Sequence, residues 1–255
     1  MSTFQKLTIH FETSAQLPPP YSYRYELTLT PSAQSFSAHL QLTYTYRDEL
    51  DADEIEAEGF TNDDDYRWEG NLEGVWQEEV EKILGKTQLS DNIIHDEEID
   101  FLTLSWQKDV LLRGQPKNTS EWQFLAQELV QAIYETSEKE RPFKIQISDI
   151  TSYELREATL TASFRNRTAQ VKRVVDGKSS LRFFAWQDLP SLMETLYAVD
   201  WFAENAAAQK PKKNGLYLNP GDGLWYEWGK QILEVGKGNK GLAVLKNQIA
   251  DLFGG

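Results

Sequence analysis

Apolar and polar residues alternate with a period of two over the first part of the chain, the signature of strands that bury one face. Leu7, Ile9 and Phe11 alternate with Thr8, His10 and Glu12. Pro18 to Pro20 interrupt the pattern. It resumes as Tyr21, Tyr23, Tyr25, Leu27 and Leu29, and again, after the turn-forming TPSAQS, as Phe36, Ala38, Leu40, Leu42, Tyr44 and Tyr46. These runs predict a β-hairpin. Five tyrosines fall on its apolar face. A buried hydroxyl needs a partner or an exit to water, so they suit either a half-covered aromatic core, the plainer reading, or the wall of a ligand cavity.

Elsewhere the period is helical. Asn71 as N-cap, followed by Leu72, Val75, Trp76, Val80, Ile83 and Leu84 and a stop at Gly85, predicts a first helix. Ser120 and Gln123 have capping-box spacing and open an apolar stripe of Trp122, Leu125, Ala126, Leu129, Val130, Ile133 and Tyr134 that Pro142 ends. Pro190 opens a third helix, with Leu192, Met193, Leu196, Val199 and Ala203 as its apolar side, and residues 242–253 form a last one. Strands are expected at 99–106 paired with 110–113, at 143–148 and 155–164, in a hairpin over 169–186 around Asp176-Gly177, and as short pieces within 216–235. Runs of antiparallel strands followed by helices predict an α+β fold, each sheet packed on one face by amphipathic helices.

Composition changes this picture little: 40% apolar and 26% charged residues describe a folded chain, not a disordered one. The absence of Cys excludes disulfides, thiolate-bound metals and thiol nucleophiles. The N-terminus lacks a basic segment leading into an apolar run, and no stretch approaches membrane-spanning length, so a soluble, cytoplasmic protein without a membrane partner is expected.

Charge changes the picture more. Residues 1–117 carry 23 Asp and Glu against 9 Lys and Arg, whereas residues 118–255 carry 17 of each. The shift coincides with the polar connector GQPKNTS at 114–120, which divides the chain into an acidic N-terminal subdomain, 1–117, and a charge-balanced C-terminal one, 118–255. Residues 48–69 concentrate the excess, with eleven carboxylates and one cation, Arg67. With little apolar periodicity, this stretch reads as a solvated crossover. Solubility is the plain explanation of the charge. The functional one is a surface that repels nucleic-acid phosphates and attracts a basic protein, with Asp51, Asp53, Glu54, Asp63, Asp64 and Asp65 as its contact residues.

Candidate chemistry is sparse. Gly236 to Gly241 match G-x-G-x-x-G, but no βαβ unit follows, so a turn is expected there. No register of the acidic stretch fits a calcium loop: starting at Asn62, Tyr66 and Arg67 fall where an acid and a glycine are required. His95 among Asp91, Asp96, Glu97, Glu98 and Asp100 is the best-placed of the three histidines for a metal or for general-base work, against an exposed loop residue as the plainer reading. His10 and His39 lie on the polar faces of their strands. Trp225, Tyr226 and Trp228 could stack on a sugar ring, a small molecule or a proline-rich peptide, against core packing as the plainer reading. The basic hairpin of Arg165, Arg167, Lys172, Arg173, Lys178 and Arg182 reads as a charged edge that blocks aggregation. No catalytic residue, metal site or cofactor is assigned. The leading expectation is a non-catalytic interaction or regulatory protein of inhibitor, immunity or mimic type whose acidic half recognises a basic partner. A small-molecule or sugar-binding module and a carboxylate- or metal-dependent hydrolase are the alternatives.

Overall fold

The computed structural model describes residues 3–32, 36–107, 109–233 and 241–254. The chain divides into two compact units, Met1–Glu140 and Arg141–Gly255. The architecture is α+β, with antiparallel sheets.

The first unit contains β1 (Lys6–Glu12), β2 (Tyr23–Pro31), β3 (Phe36–Tyr44), α1 (Ala52–Ala57), β4 (Tyr66–Leu72), α2 (Gly74–Leu84), β5 (Leu89–Ser90), β6 (Phe101–Gln107), β7 (Leu111–Pro116) and α3 (Thr119–Thr136). Its strands form one sheet in the order β4-β3-β2-β1-β6-β7-β5. The register pairs Ile9 with Leu27 and Leu104, and Leu27 with Leu40, so the alternating apolar residues stack into one buried face. Trp76 and Trp122, both fully buried, anchor α2 and α3 in this core. The Trp122 indole donates to the Thr87 hydroxyl at 2.9 Å. At such a depth an unpaired indole N–H would be costly.

Four expectations are corrected here. The connector at 114–120 does not separate units, because 114–116 belong to β7, and α3 packs with α2, β4 and β7 in the first unit. The boundary at residue 140 sharpens the charge contrast: the first unit carries 28 Asp and Glu against 10 Lys and Arg, the second 12 against 16. The solvated crossover contains β4, whose Tyr66, Trp68 and Leu72 point inward while Arg67, Glu69 and Asn71 are exposed. Gly70 makes that strand fit, since a Cβ there would stand 2.4 Å from the Trp68 ring. β4 takes up Asn71 and Leu72, so α2 starts at Gly74 with Glu73 as N-cap. Of the five hairpin tyrosines, Tyr25 is buried and Tyr23 and Tyr44 are half-buried, but Tyr21 and Tyr46 lie past the strand ends and are exposed.

The second unit comprises β8 (Phe143–Ile150), β9 (Leu155–Ser163), β10 (Thr168–Val175), β11 (Lys178–Phe184), α4 (Leu189–Tyr197), β12 (Asp200–Trp201), β13 (Gly215–Asn219), β14 (Tyr226–Glu227), β15 (Ile232–Leu233) and α5 (Gly241–Phe253). Its main sheet runs β11-β10-β9-β8-β13-β14, and β12 pairs separately with β15. The Asp176-Gly177 turn closes β10 on β11 with both residues at positive φ, 47° and 78°, the conformation a two-residue hairpin requires. Leu192 and Leu196 of α4 and Leu245, Ile249 and Leu252 of α5 cover Ile145, Ile147, Leu160 and Val171. α4 is shorter than its apolar stripe suggested: it ends at Tyr197, before Val199 and Ala203. No helix among the described residues is long and apolar enough to cross a membrane.

Candidate functional site

The acidic stretch is folded around a cation one residue outside it. Arg47 opens a short 3-10 turn and points inward, 9% exposed. Its Nε and Nη2 donate to the Pro20 carbonyl at 3.2 Å, and Nη1 donates to the Thr61 carbonyl and, at 2.7 Å, to Asp64 Oδ2. The guanidinium lies 3.7 Å from the centre of the Tyr44 ring and 4.8 Å from that of Phe60. Asp64 also accepts the Thr61 amide at 2.8 Å and the Thr61 hydroxyl at 2.7 Å. Desolvation pushes the Asp64 carboxyl upward, but the Thr61 donors and Arg47 outweigh it and hold the group below the usual aspartate range.

The neighbouring acids are also used locally. Asp65 accepts the Tyr44 amide at 2.9 Å, where β3 ends. Asp51 precedes α1 in a capping box, in which Glu54 accepts the Asp51 amide at 3.0 Å. Buried Ile55 is the one apolar anchor of that helix. Four of the six acids expected to contact a partner, Asp51, Glu54, Asp64 and Asp65, are therefore hydrogen-bonded to backbone amides of this segment or of the adjoining end of β3. Asp53 and Asp63 are exposed, as are Asp48, Glu49 and Glu56.

A second acidic segment, residues 91–100, is exposed from Asp91 to Ile99. Two clasps position it. Ser14 donates its amide to Asp100 at 2.9 Å and its hydroxyl to the Glu97 carbonyl at 3.2 Å, and the Ala15 amide donates to the same carbonyl at 3.0 Å. At the other end, Gln115 accepts the Ile94 amide at 2.9 Å and donates to its carbonyl at 2.6 Å. His95 packs against Phe101 with the rings tilted, 4.6 Å between ring centres, and its Nε2 is 3.9 Å from Glu12.

These clasps bring the two acidic segments to one place. A cavity of about 320 Å³ is lined by Glu49 from the first, His95 and Glu97 from the second and Glu12 from the end of β1, with Leu17, Pro18, Pro19 and Tyr46 as its apolar wall. A second cavity, of about 330 Å³, shares Glu12 and continues over the polar face of the sheet past Arg24, His10 and Glu26. His10 Nδ1 stands 3.5 Å from Glu26. The register sets His10, Glu26 and Gln41 in one row, while His39 falls in the next row beside Thr28. Among the described residues, no group of three His, Asp or Glu is arranged to hold a metal ion. The arrangement suits a flexible cation instead: the carboxylates receive an ammonium or guanidinium, and the Pro and Tyr wall covers its methylene stem. Glu12, Glu49 and the Pro18-Pro19 wall were not singled out in the sequence. Their only signal there was the break in the strand pattern at the prolines.

The aromatic candidates lie elsewhere. Trp225 and Tyr226 are buried, at 8% and 3% exposure, and half-buried Trp228 packs against the same core. The Tyr226 ring meets Trp201 edge-on, and its hydroxyl donates to Asp222. Burial, then the Asp222 carboxylate, pushes its pKa up to about 12. Trp225 reaches only a narrow groove of about 170 Å³ beside Glu157, Lys172 and Lys210. The three rings are thus not presented together as a stacking platform, because sheet pairing and the segment bridging Ala207 to Trp225 turn them inward. The G-x-G-x-x-G glycines lie outside the described residues except Gly241, the first residue of α5.

Compared with protein-family models, with curated proteins and with solved structures, the chain matches none.

Proposed function

We propose that the protein is a non-catalytic interaction or regulatory protein that recognises a basic protein partner through the acidic groove of its first unit. The observation that carries this reading is the meeting of Glu49, Glu97 and Glu12, from three separated segments, around one cavity with an apolar wall. Solubility alone does not require acidic residues from three segments to border one cavity, since like charges brought together repel one another. The excess of 28 acids over 10 cations in the same unit adds a long-range field that steers a cationic surface toward the groove. A lysine or arginine of the partner enters the cavity, and exposed Asp53, Glu56 and Asp63 contribute to the surrounding field.

The test uses the intact protein and the variant E12Q/E49Q/E97Q, with a lysine-rich peptide as probe. Wild-type affinity should fall about tenfold or more as salt rises from about 0.05 to 0.5 M, because screening shortens the reach of the field. The triple variant should bind at least about tenfold more weakly than wild type at low salt, a difference of about 1.4 kcal/mol. Equal binding by the two proteins sinks the reading. The variant spares Asp64 and Asp65, which hold the fold.

A further inference from the structure

A further cavity lies within the second unit. It measures about 770 Å³, within the range of small-molecule sites. Its chemistry follows from two arginines on the helix-facing side of the sheet. Strand alternation aims Arg173 the same way as Val171, and the register sets Arg182 directly across from Val171. Both guanidiniums therefore approach the interior, where an unpaired cation is expensive. Each finds a main-chain acceptor at the end of α5: Arg173 donates to the Phe253 carbonyl and Arg182 to that of Asp251. These carbonyls form the negative end of the helix, so the contacts are favourable.

Capping accounts for only part of the donor capacity. A guanidinium has five N–H groups. The Arg182 Nε is buried and has no hydrogen-bond partner among the described residues, and neither has the buried Oε1 of Gln248, which lines the same cavity. Apolar side chains line the space as well: Phe184, whose register partner Ala169 is buried, and Leu192 of α4. Apolar side chains beside arginines, a serine and a glutamine are the mixture that holds an amphipathic ligand, with a polar end fixed and an apolar body covered. Asp188 and Asp251 line the cavity as well. They confine an anion to the arginine side and disfavour a ligand charged at both ends with the same sign.

We propose that this cavity binds a small organic anion, an aromatic phosphate or carboxylate, with its charged group on Arg173 and Arg182 and its ring against Phe184. The bidentate geometry of guanidinium suits both oxyanions.

Calorimetric titration of the full chain with phenyl phosphate and with benzoate tests this, inorganic phosphate and phenol serving as the two halves of the ligand. Saturable binding of at least one aromatic anion with a Kd of about 1 mM or below is expected, at least tenfold tighter than either half. Which anion binds tighter identifies the class. Arg182→Gln should weaken it tenfold or more. Because that substitution also removes an α5 contact, Phe184→Leu is the second variant: it keeps an apolar side chain at the edge of the core, removes the ring, and should weaken binding severalfold. Absence of saturable binding by both aromatic anions, or affinity unchanged in Phe184→Leu, overturns the proposal and leaves the arginines as helix caps beside a packing gap.

Discussion

In the first unit one arginine, Arg47, turns into the interior beside an aspartate and two main-chain carbonyls, and two aromatic rings close over it. In the second, Arg173 and Arg182 turn inward beside the carbonyls of a helix end and line an open cavity. Both units are antiparallel sheets with helices, yet the inward cation has opposite consequences. Arg47 consumes its donors and fixes an acidic segment, so the most acidic stretch of the chain is partly a structural element. Arg182 keeps a donor, its Nε, without a partner among the described residues, in the unit with more cations than anions. Counting charges along a segment therefore does not reveal which are free to bind: most of the acids first expected to contact a partner are tied to backbone amides, whereas Glu12, Glu49 and Glu97 border open space.

The largest expected effect separates the units by their tyrosines. Burial pushes Tyr25 and Tyr134 of the first unit well above the ordinary value near 10. The folded form thus holds protons that the unfolded chain releases, so stability is intact below pH 10 and falls as pH rises beyond it. The slope is about 1.4 kcal/mol per pH unit for each such tyrosine. Tyrosinate absorbance should show Tyr226 of the second unit titrating near 12, with Tyr25 released only on unfolding. Ionisation of Tyr25 in the folded protein would contradict its burial.

Next in size, Asp64→Ala leaves Arg47 in the interior without its carboxylate and should lower the unfolding free energy by about 3 kcal/mol in urea titrations. A loss under about 1 kcal/mol would mean that the carbonyls suffice, as in the second unit, and the contrast would vanish. The same pair predicts acid behaviour. Because the folded Asp64 carboxyl is held low, its contribution is present above the normal aspartate range and is lost as pH falls through the folded value. Gly70→Ala should cost about 2 kcal/mol, since the new methyl meets the Trp68 ring. Arg173→Ala, which removes one carbonyl contact at a helix end, should cost only about 1 kcal/mol. Smallest of all, D53N/E56Q/D63N should leave thermal stability within about 0.5 kcal/mol while weakening salt-sensitive peptide binding. A large destabilisation by that variant would show that these exposed acids too are structural.

Much of the architecture was legible because it rests on local periodicity. Alternation over Leu7 to Phe11 and over the following hairpin specified which face each strand buries, and the apolar stripes of α3 and α5 specified their helices. Asp176-Gly177 announced its turn because few residue pairs accept positive φ in succession. β4 was missed although Tyr66, Trp68 and Leu72 alternate, because the run of acids before it obscured a strand with only three inward side chains. α1 was missed because Ile55 is its single buried residue, too little to produce a period.

The sequence alone determined the α+β class, most strands and helices, and the excess of negative charge in the first part of the chain. Only the tertiary structure decided that α3 closes the first unit, that Arg47 is the counter-charge of the acidic stretch, and that Glu12, Glu49 and Glu97 share a cavity while Arg173 and Arg182 border another. The physical reason is range. Periodicity reports what a residue's own element presents to one face, whereas convergence depends on register, loop clasps and packing between residues tens of positions apart, which no local pattern encodes.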